Sequence, residues 1–193
     1  MRNQSWSQRL APTLGLAAIG LLLFCSHAGA QADRKLQQPI LVTSSGQALD
    51  GFTVKTLLGR AGVTANYDAK AVAAALDGVK SVIIAVGASN KGFGQAGITA
   101  ETETARTSAI LEAAKAKGVA VVCVHIGGVE RRKGLSVQFI ELVCPASDYM
   151  VVSQDGNSDN YFTDLAKAKS IPLMVIEKSL DVGKALAGLI GQS

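Results

Sequence analysis

The stretch that most constrains the fold is an almost wholly apolar run from Ser81 to Val86 that ends at Gly87. A run that is apolar without alternation is typical of a strand buried on both faces, as in a parallel sheet. The polar, glycine-rich residues after it, and the helical pattern that follows them, indicate a crossover connection. The run therefore predicts a central strand of a parallel α/β sheet.

The same order of elements recurs along the chain. Strand patterns occur at residues 40–43, 63–67, 81–86, 119–125, 149–152 and 172–176, and helical patterns alternate with them, including an alanine-rich one between Asp68 and Gly78. Such alternation indicates a parallel sheet with right-handed crossovers. We therefore predict an α/β fold: a single three-layer, doubly wound parallel sheet of flavodoxin-like order 2-1-3-4-5-6, with helices on both faces.

The first thirty residues have the pattern of a Sec signal peptide. Arg2 and Arg9 precede an apolar segment at 14–24, and small residues end it at Ala30. We predict cleavage near Ala30, a flexible mature N-terminus at 31–38 and one α/β domain at 39–193. The protein is then periplasmic or secreted, with no membrane span in the mature chain. The apolar segment of the leader is itself short for a bilayer, which argues against a permanent anchor.

Charge patterning argues against nucleic-acid binding. Two of the 19 basic residues lie in the leader, so the rest of the chain is close to balance with its 15 acidic residues. A nucleic-acid-binding domain normally has a strongly basic face with interleaved aromatic residues. The aromatic content is only 5%, spread along the chain, and no such face is predicted.

Two cysteines remain after the leader, Cys123 in a strand pattern and Cys144 at the end of a helical pattern. A disulfide is compatible with an extracytoplasmic compartment. However, these two points of a parallel unit tend to lie at opposite ends, and a bridge needs Cα atoms within about 7 Å. The sequence therefore favours two buried thiols, with the bridge as the alternative.

A candidate site is predicted where polar loops follow the strands. In an open parallel sheet, ligands bind beyond the carboxyl ends of the strands where the strand order reverses, here between the first and third strands. Free amides at a helix N-terminus and arginine side chains favour an anion. The predicted ligand-binding residues are Ser44, Ser45, Gly46, Gln47, Gly87, Ser89, Asn90, Lys91, Gly92, His125, Gly127, Arg131, Asp155 and Asn157.

Neither a cofactor nor a metal is predicted. Gly92, Gly94 and Gly97 have the spacing of a dinucleotide fingerprint, but the loop opens late and the next strand does not end in an acidic residue. We interpret residues 87–97 as a flexible loop over the site. The acidic loop at 155–159 lacks the glycine and glutamate of a calcium loop, and one histidine cannot form a His-rich site.

Several segments together resemble a known family. The segments are PILVTSSGQALDGFTVKTLLGRAG, VIIAVGASNKGFGQAGI, VCVHIGG followed by RR, and ASDYMVVSQDGN. They are similar to an uncharacterised family of secreted bacterial α/β proteins classed as a domain of unknown function. The resemblance covers nearly the whole mature chain, and it implies a shared site at these loops without implying a reaction.

Three functions follow as hypotheses. The first is a secreted or periplasmic protein that binds a small, anionic ligand at the carboxyl ends of the strands. The second is a hydrolase or lyase that uses His125 with an acidic partner, Asp155 or Glu130. The third is an accessory protein of an envelope or transport complex, which would need an exposed apolar patch.

Overall fold

The computed structural model describes residues 36–190. The predicted signal peptide and residues 31–35 lie outside the described residues, as do residues 191–193. Leu36 is fully buried, pairs with Ile190 in a β-bridge and donates its backbone N–H to Leu189 O at 2.9 Å. The packed domain therefore includes Leu36, upstream of the expected start at residue 39.

Six parallel strands form one sheet in the order β2-β1-β3-β4-β5-β6. This is the predicted doubly wound, flavodoxin-like order, and the fold prediction is confirmed. The central strands are buried on both faces because helices cover both sides of the sheet. The strands are β1 (Ile40–Ser45), β2 (Asn66–Tyr67), β3 (Ser81–Val86), β4 (Ala120–His125), β5 (Tyr149–Ser153) and β6 (Leu173–Ile176).

Six α-helices cover the sheet and its carboxyl edge. The core on one face contains residues of the first and last helices, such as Val54 and Leu186, and the core on the other contains residues of the third to fifth, such as Ile110 and Phe162. The second helix is short and lies at the end of β3. The helices are α1 (Asp50–Arg60), α2 (Asn90–Ala96), α3 (Ala100–Lys117), α4 (Leu135–Val143), α5 (Tyr161–Lys169) and α6 (Val182–Gly188).

The alanine-rich segment before β3 does not form the expected helix. It contains only a four-residue 3₁₀ turn, Ala73–Leu76. Asp68 Oδ1 accepts from Lys70 N in a local turn, and only Ala71 and Leu76 of this segment are buried in the core. Alanine favours a helix locally, but a segment with so little apolar surface gains little from packing as a longer helix.

Cys123 and Cys144 form a disulfide, with their Cα atoms 5.3 Å apart. The favoured interpretation as two separate thiols was therefore wrong. Helix α4 has only nine residues, so its C-terminal end lies over the sheet and does not extend past β4. Both cysteines are fully buried in the core on the side of α3, α4 and α5.

None of the helices between residues 36 and 190 is long and apolar enough to cross a membrane.

Removing the disulfide is expected to lower the free energy of unfolding. The bridge closes a loop with a sequence separation of 21, and loops of this size stabilise a domain by about 3 kcal/mol through the unfolded chain. We expect the double variant Cys123→Ala, Cys144→Ala to lose about that amount in urea unfolding. Reductant should then have no further effect on the variant, and equal stabilities of wild type and variant would contradict the bridge.

Candidate functional site

The predicted loops lie along the carboxyl edge of the sheet in two groups. The loop after β1 contacts the loop after β3, and the loop after β4 contacts the loop after β5. The first group is at the predicted crevice between β1 and β3, and the second surrounds His125. The two groups differ in how their polar atoms are satisfied.

The crevice between β1 and β3 is closed by backbone hydrogen bonds. Gly87 N donates to Ser45 O at 3.0 Å, Ala48 N donates to Gly87 O at 3.2 Å, and Ser89 N donates to Gly46 O at 2.9 Å. Gly46 has a φ of 99° and approaches so closely that an added Cβ would lie 2.7 Å from Gly87 C. The two loops therefore form a packed junction at the point where the strand order reverses.

A buried carboxylate accepts hydrogen bonds from the polar groups of the turn that follows β1. Glu103 of α3 is fully buried, and its Oε1 accepts from Gly46 N at 2.9 Å and from Gln47 Nε2 at 3.0 Å. Arg106 forms a two-bonded ion pair with Glu103, at 2.8 Å for each bond. The Glu103 carboxylate therefore accepts hydrogen bonds from Gly46 N and Gln47 Nε2, two donors that the sequence assigned to an anionic ligand.

The other polar groups of this turn also have internal partners. Ser44 Oγ donates to Ala48 O at 3.2 Å, and Ser45 Oγ lies 3.1 Å from Thr107 Oγ1. Arg106 Nη2 donates to Ser44 O at 2.5 Å, and its Nη1 donates to Ala71 O at 2.6 Å. Four of the predicted ligand-binding residues, Ser44, Ser45, Gly46 and Gln47, are therefore buried within the packing of β1, α3 and the 3₁₀ segment.

The prediction of a flexible loop at residues 87–97 was wrong for most of this stretch, because residues 90–96 form the helix α2. Ser89 caps this helix by accepting from Gly92 N at 3.0 Å, and Gly97 ends it with a φ of 67°. Gly92 lies directly against the backbone of Gln47, where a Cβ would overlap the Gln47 carbonyl. Asn90 and Lys91 are exposed on the first turn of α2.

His125, at the end of β4, is 1% exposed. Its Nδ1 lies 3.1 Å from Val86 O. Because a carbonyl oxygen only accepts, Nδ1 carries the proton and donates, and Nε2 of the neutral ring is left as an acceptor. Nε2 is buried and has no hydrogen-bond partner within residues 36–190. Burial is the main cause that lowers the pKa of His125. The hydrogen bond to Val86 O and the negative charge of Asp50 act to raise this pKa, and the positive charges of Arg132 and Arg131 lower it.

The loop that follows β5 packs against the ring of His125. A Cβ added to Gly156 would lie 3.0 Å from His125 Cδ2, and one added to Gly127 would lie 3.4 Å from His125 Cε1. Nε2 lies between these two ring carbons, so it faces the contact between the β4 and β5 loops. The Phe162 ring lies beside the imidazole, with 5.4 Å between the ring centroids.

Arg131 and its neighbour Arg132 bind carboxylates on opposite sides of His125. Arg131 Nη2 pairs with Asp50 Oδ2 of α1 at 3.2 Å, beside Gly87. Arg132 Nη2 pairs with Asp159 Oδ2 at 2.5 Å, and this bond lowers the pKa of Asp159. The Arg132 guanidinium carbon lies 4.6 Å from the Tyr161 ring centroid, and its Nε is buried without a partner in the described part of the chain.

The acidic loop after β5 acts as a helix cap, as the sequence indicated. Asn157 Oδ1 accepts from Phe162 N at 2.9 Å and Thr163 N at 3.2 Å, so this side chain supports α5. Asp155 is exposed, and the predicted hydrogen bond between Asp155 and His125 is not formed. Residues 36–190 contain no cluster of three or more His, Cys, Asp or Glu residues that could hold a metal ion.

Sequence reasoning missed the residues that decide the chemistry of this edge. Glu103 was not assigned to the site, yet it contacts Gly46, 57 positions away. Asp50, Arg106 and Phe162 were not assigned to the site either. The adjacent arginines and the single histidine after the leader were the signals in the sequence that pointed to the β4 loop.

The fold and this edge define a class: a doubly wound α/β domain whose polar loops gather at the carboxyl ends of its strands. Residues 37–190 match the family described as Domain of unknown function (DUF6305), and the chain belongs to that family. The resemblance to an uncharacterised family is thereby confirmed.

No curated protein matches the chain. Among solved structures, a mutant of the esterase AlinE4 is similar, with 12% sequence identity and a TM-score of 0.29 over 83% of this chain and 84% of that chain. At that TM-score the likeness supports no conclusion about function.

Glu103→Gln is expected to lower the free energy of unfolding by about 3 kcal/mol or more, because it leaves the Arg106 charge buried without its partner. The matched control is Glu101→Gln on the same helix, whose exposed side chain should leave stability near wild type. Urea unfolding measures both. Equal stabilities of the two variants would contradict the role of Glu103 in closing the crevice.

His125 is expected to make stability depend on pH. The unfolded histidine binds its proton near pH 6.5, whereas the folded one does so at lower pH. The unfolded state therefore gains a proton first as the pH falls, and the free energy of unfolding decreases below about pH 6.5, by at most about 1.4 kcal/mol per pH unit.

The control for this dependence is His125→Asn, which does not titrate in this range and retains an N–H donor. The difference in stability between wild type and variant should shrink or change in favour of the variant from pH 7 to pH 5. The charged residues that act on the imidazole are the same in wild type and variant; they are Asp50, Arg131 and Arg132. Parallel pH profiles would contradict a neutral, buried His125.

Proposed function

We propose that this protein is a secreted or periplasmic binding protein for a small, anionic ligand, with its site at the carboxyl ends of β4 and β5. The observation that carries the proposal is the buried Nε2 of His125, which has no hydrogen-bond partner among residues 36–190. The β1–β3 crevice, which the sequence favoured, is occupied by Glu103 and its partners, so the proposed centre of the site lies two strands away from it.

An unsatisfied buried acceptor costs roughly 1–3 kcal/mol, and most buried polar groups in proteins have a partner. At the neighbouring turn, the donors of Gly46 and Gln47 are satisfied by Glu103. His125 and Arg132 are the residues whose buried polar side-chain atoms lack partners within residues 36–190. Because both lie beside Phe162, a bound group with a donor and an acceptor would satisfy them together.

The charges near His125 favour an anionic ligand. Arg131 and Arg132 present planar guanidinium groups, which bind carboxylates and phosphates through paired hydrogen bonds. Both already bind carboxylates, those of Asp50 and Asp159. Lys91 of α2 adds an exposed positive charge on the same edge of the sheet.

Two features support an extracytoplasmic location. The first thirty residues have the composition of a cleavable leader. The domain contains a buried disulfide, and stable disulfides form mainly in oxidising compartments.

A thermal-shift screen of small carboxylates and inorganic phosphate tests the proposal. A ligand present at a hundred times its Kd should raise Tm by about 5–10 °C for a domain of this size. We expect His125→Phe and Arg131→Ala to abolish or strongly reduce that shift. The matched control is Lys80→Ala, which removes an exposed charge at the opposite edge, just before β3. A shift that is equal in all four proteins, or no shift with any compound, would overturn the proposal.

An accessory role in an envelope complex is the second candidate, because two large apolar side chains at the start of α1 are exposed. Leu49 is 77% exposed and Phe52 is 55% exposed. This candidate predicts recovery of the wild-type protein with the envelope fraction and loss of that recovery in Leu49→Ser, Phe52→Ser. Equal recovery of both proteins with the envelope fraction would contradict this accessory role.

A further inference from the structure

The loop at residues 128–134 lies across the edge of the sheet next to His125. It follows Gly127, where a Cβ would lie 2.6 Å from Arg131 Cβ and 3.4 Å from His125 Cε1. Arg131 therefore packs over the residue that adjoins the imidazole. Gly127, under Arg131, and Gly156 thus lie next to the two ring carbons that flank the buried Nε2.

Side chains, and not the backbone, attach the 128–134 loop to the rest of the fold, and the most buried of them is Arg132, which lies over the Tyr161 and Phe162 rings. The backbone hydrogen bonds of the loop are local: Arg131 N donates to Gly128 O and Arg132 N donates to Val129 O. None of its residues belongs to either hydrophobic core. Segments with few buried apolar contacts open at low free energy. Glycines lie at both ends of the loop, and Gly134 has a φ of 55°, so each end can change its backbone angles.

Two ion pairs hold the 128–134 loop to other elements, one on each side. Arg131 and Asp50 are 50% and 17% exposed, and Arg132 and Asp159 are 8% and 49% exposed, so each pair has one largely buried partner and one that faces solvent. Partly exposed pairs of this kind contribute little to stability and exchange readily with competing anions. The third pair of the loop, Lys133 with Glu130, joins two residues of the loop itself and does not hold it down.

We propose that the 128–134 loop is a lid that opens when a small hydroxylated carboxylate binds. This inference rests on the proposed function and names its ligand class. The ligand's carboxylate replaces Asp50 or Asp159 as the partner of Arg131 or Arg132. Its hydroxyl group donates a hydrogen bond to Nε2 of His125.

The ligand class follows from the partners already present. Both arginines bind side-chain carboxylates, so a carboxylate ligand can replace either one with little rearrangement. Nε2 of neutral His125 is an acceptor, so the ligand must also supply a donor. A simple carboxylate without a donor satisfies only the arginines and leaves Nε2 unpaired.

Chemical modification of His125 by diethyl pyrocarbonate tests the lid. The reagent reacts with accessible neutral imidazole, and mass spectrometry of the peptide containing His125 separates this site from His27. The double variant Asp50→Asn, Asp159→Asn releases both ends of the loop, and we expect its His125 to react about two- to tenfold faster than in wild type. Glu130→Gln is the matched control, because it breaks only the pair within the loop, and it should react like wild type.

Glycolate and acetate, which differ by one hydroxyl group, test the ligand class, with inorganic phosphate as a third probe. We expect glycolate to slow the modification of His125 at least threefold more than acetate or phosphate at equal concentration. The same preference should appear in Tm and disappear in His125→Phe. Circular dichroism verifies that each variant is folded.

The outcomes separate the two proposals. Equal reactivity of His125 in wild type and in the double variant overturns the lid, while ligand-induced shifts in Tm that depend on His125 leave the proposed function standing. Faster modification with no protection or thermal shift by any probe overturns the ligand class and, with it, the proposed function. Equal protection by glycolate and acetate overturns the donor requirement.

Discussion

The buried carboxylate of Glu103 determines how the carboxyl edge of this sheet is organised. It lies at the point where the strand order reverses, and it accepts hydrogen bonds from the β1 turn and from Arg106. A buried ion pair is stable only when its remaining polar groups are also satisfied. Here Arg106 donates to Ser44 O and Ala71 O as well, so the pair joins β1, α3 and the segment before β3. The position that binds ligands in many doubly wound sheets is thus part of the packing of this one.

The two sides of the carboxyl edge of the sheet therefore differ in how their polar groups are paired. On the β1–β3 side, backbone and side-chain groups bond to one another, and Gly46 and Gly92 allow the closest contacts. On the β4–β5 side, His125 and Arg132 of the neighbouring loop are both buried beside Phe162, and within residues 36–190 each has a side-chain nitrogen without a hydrogen-bond partner. Ion pairs with Asp50 and Asp159 hold this loop. An unpaired buried group costs stability and therefore needs a physical explanation, and the proposed ligand supplies one here.

The sequence predicted the fold well because the fold depends on local patterns. Apolar runs identified the strands, and helices alternate with them as predicted. Two local predictions failed, those of a helix in the alanine-rich segment and of a flexible loop where α2 forms. The other failures concern contacts between distant residues. The position of Cys144 over Cys123 depends on the length of α4, and the burial of Glu103 depends on a turn 57 residues away. No local pattern encodes either contact. The sequence placed the candidate site at the carboxyl edge between β1 and β3, and the site proposed from the structure lies two strands further along the same edge, at β4 and β5.

The central claim is that Nε2 of His125 is the atom that receives the ligand. The most direct measurement is a crystal structure of the protein with glycolate. We expect a ligand oxygen about 2.7–3.2 Å from Nε2 of His125. We also expect at least one of Arg131 and Arg132 to bind the ligand carboxylate in place of Asp50 or Asp159. An ordered water on Nε2, with both ion pairs intact and glycolate bound elsewhere or absent, would contradict it.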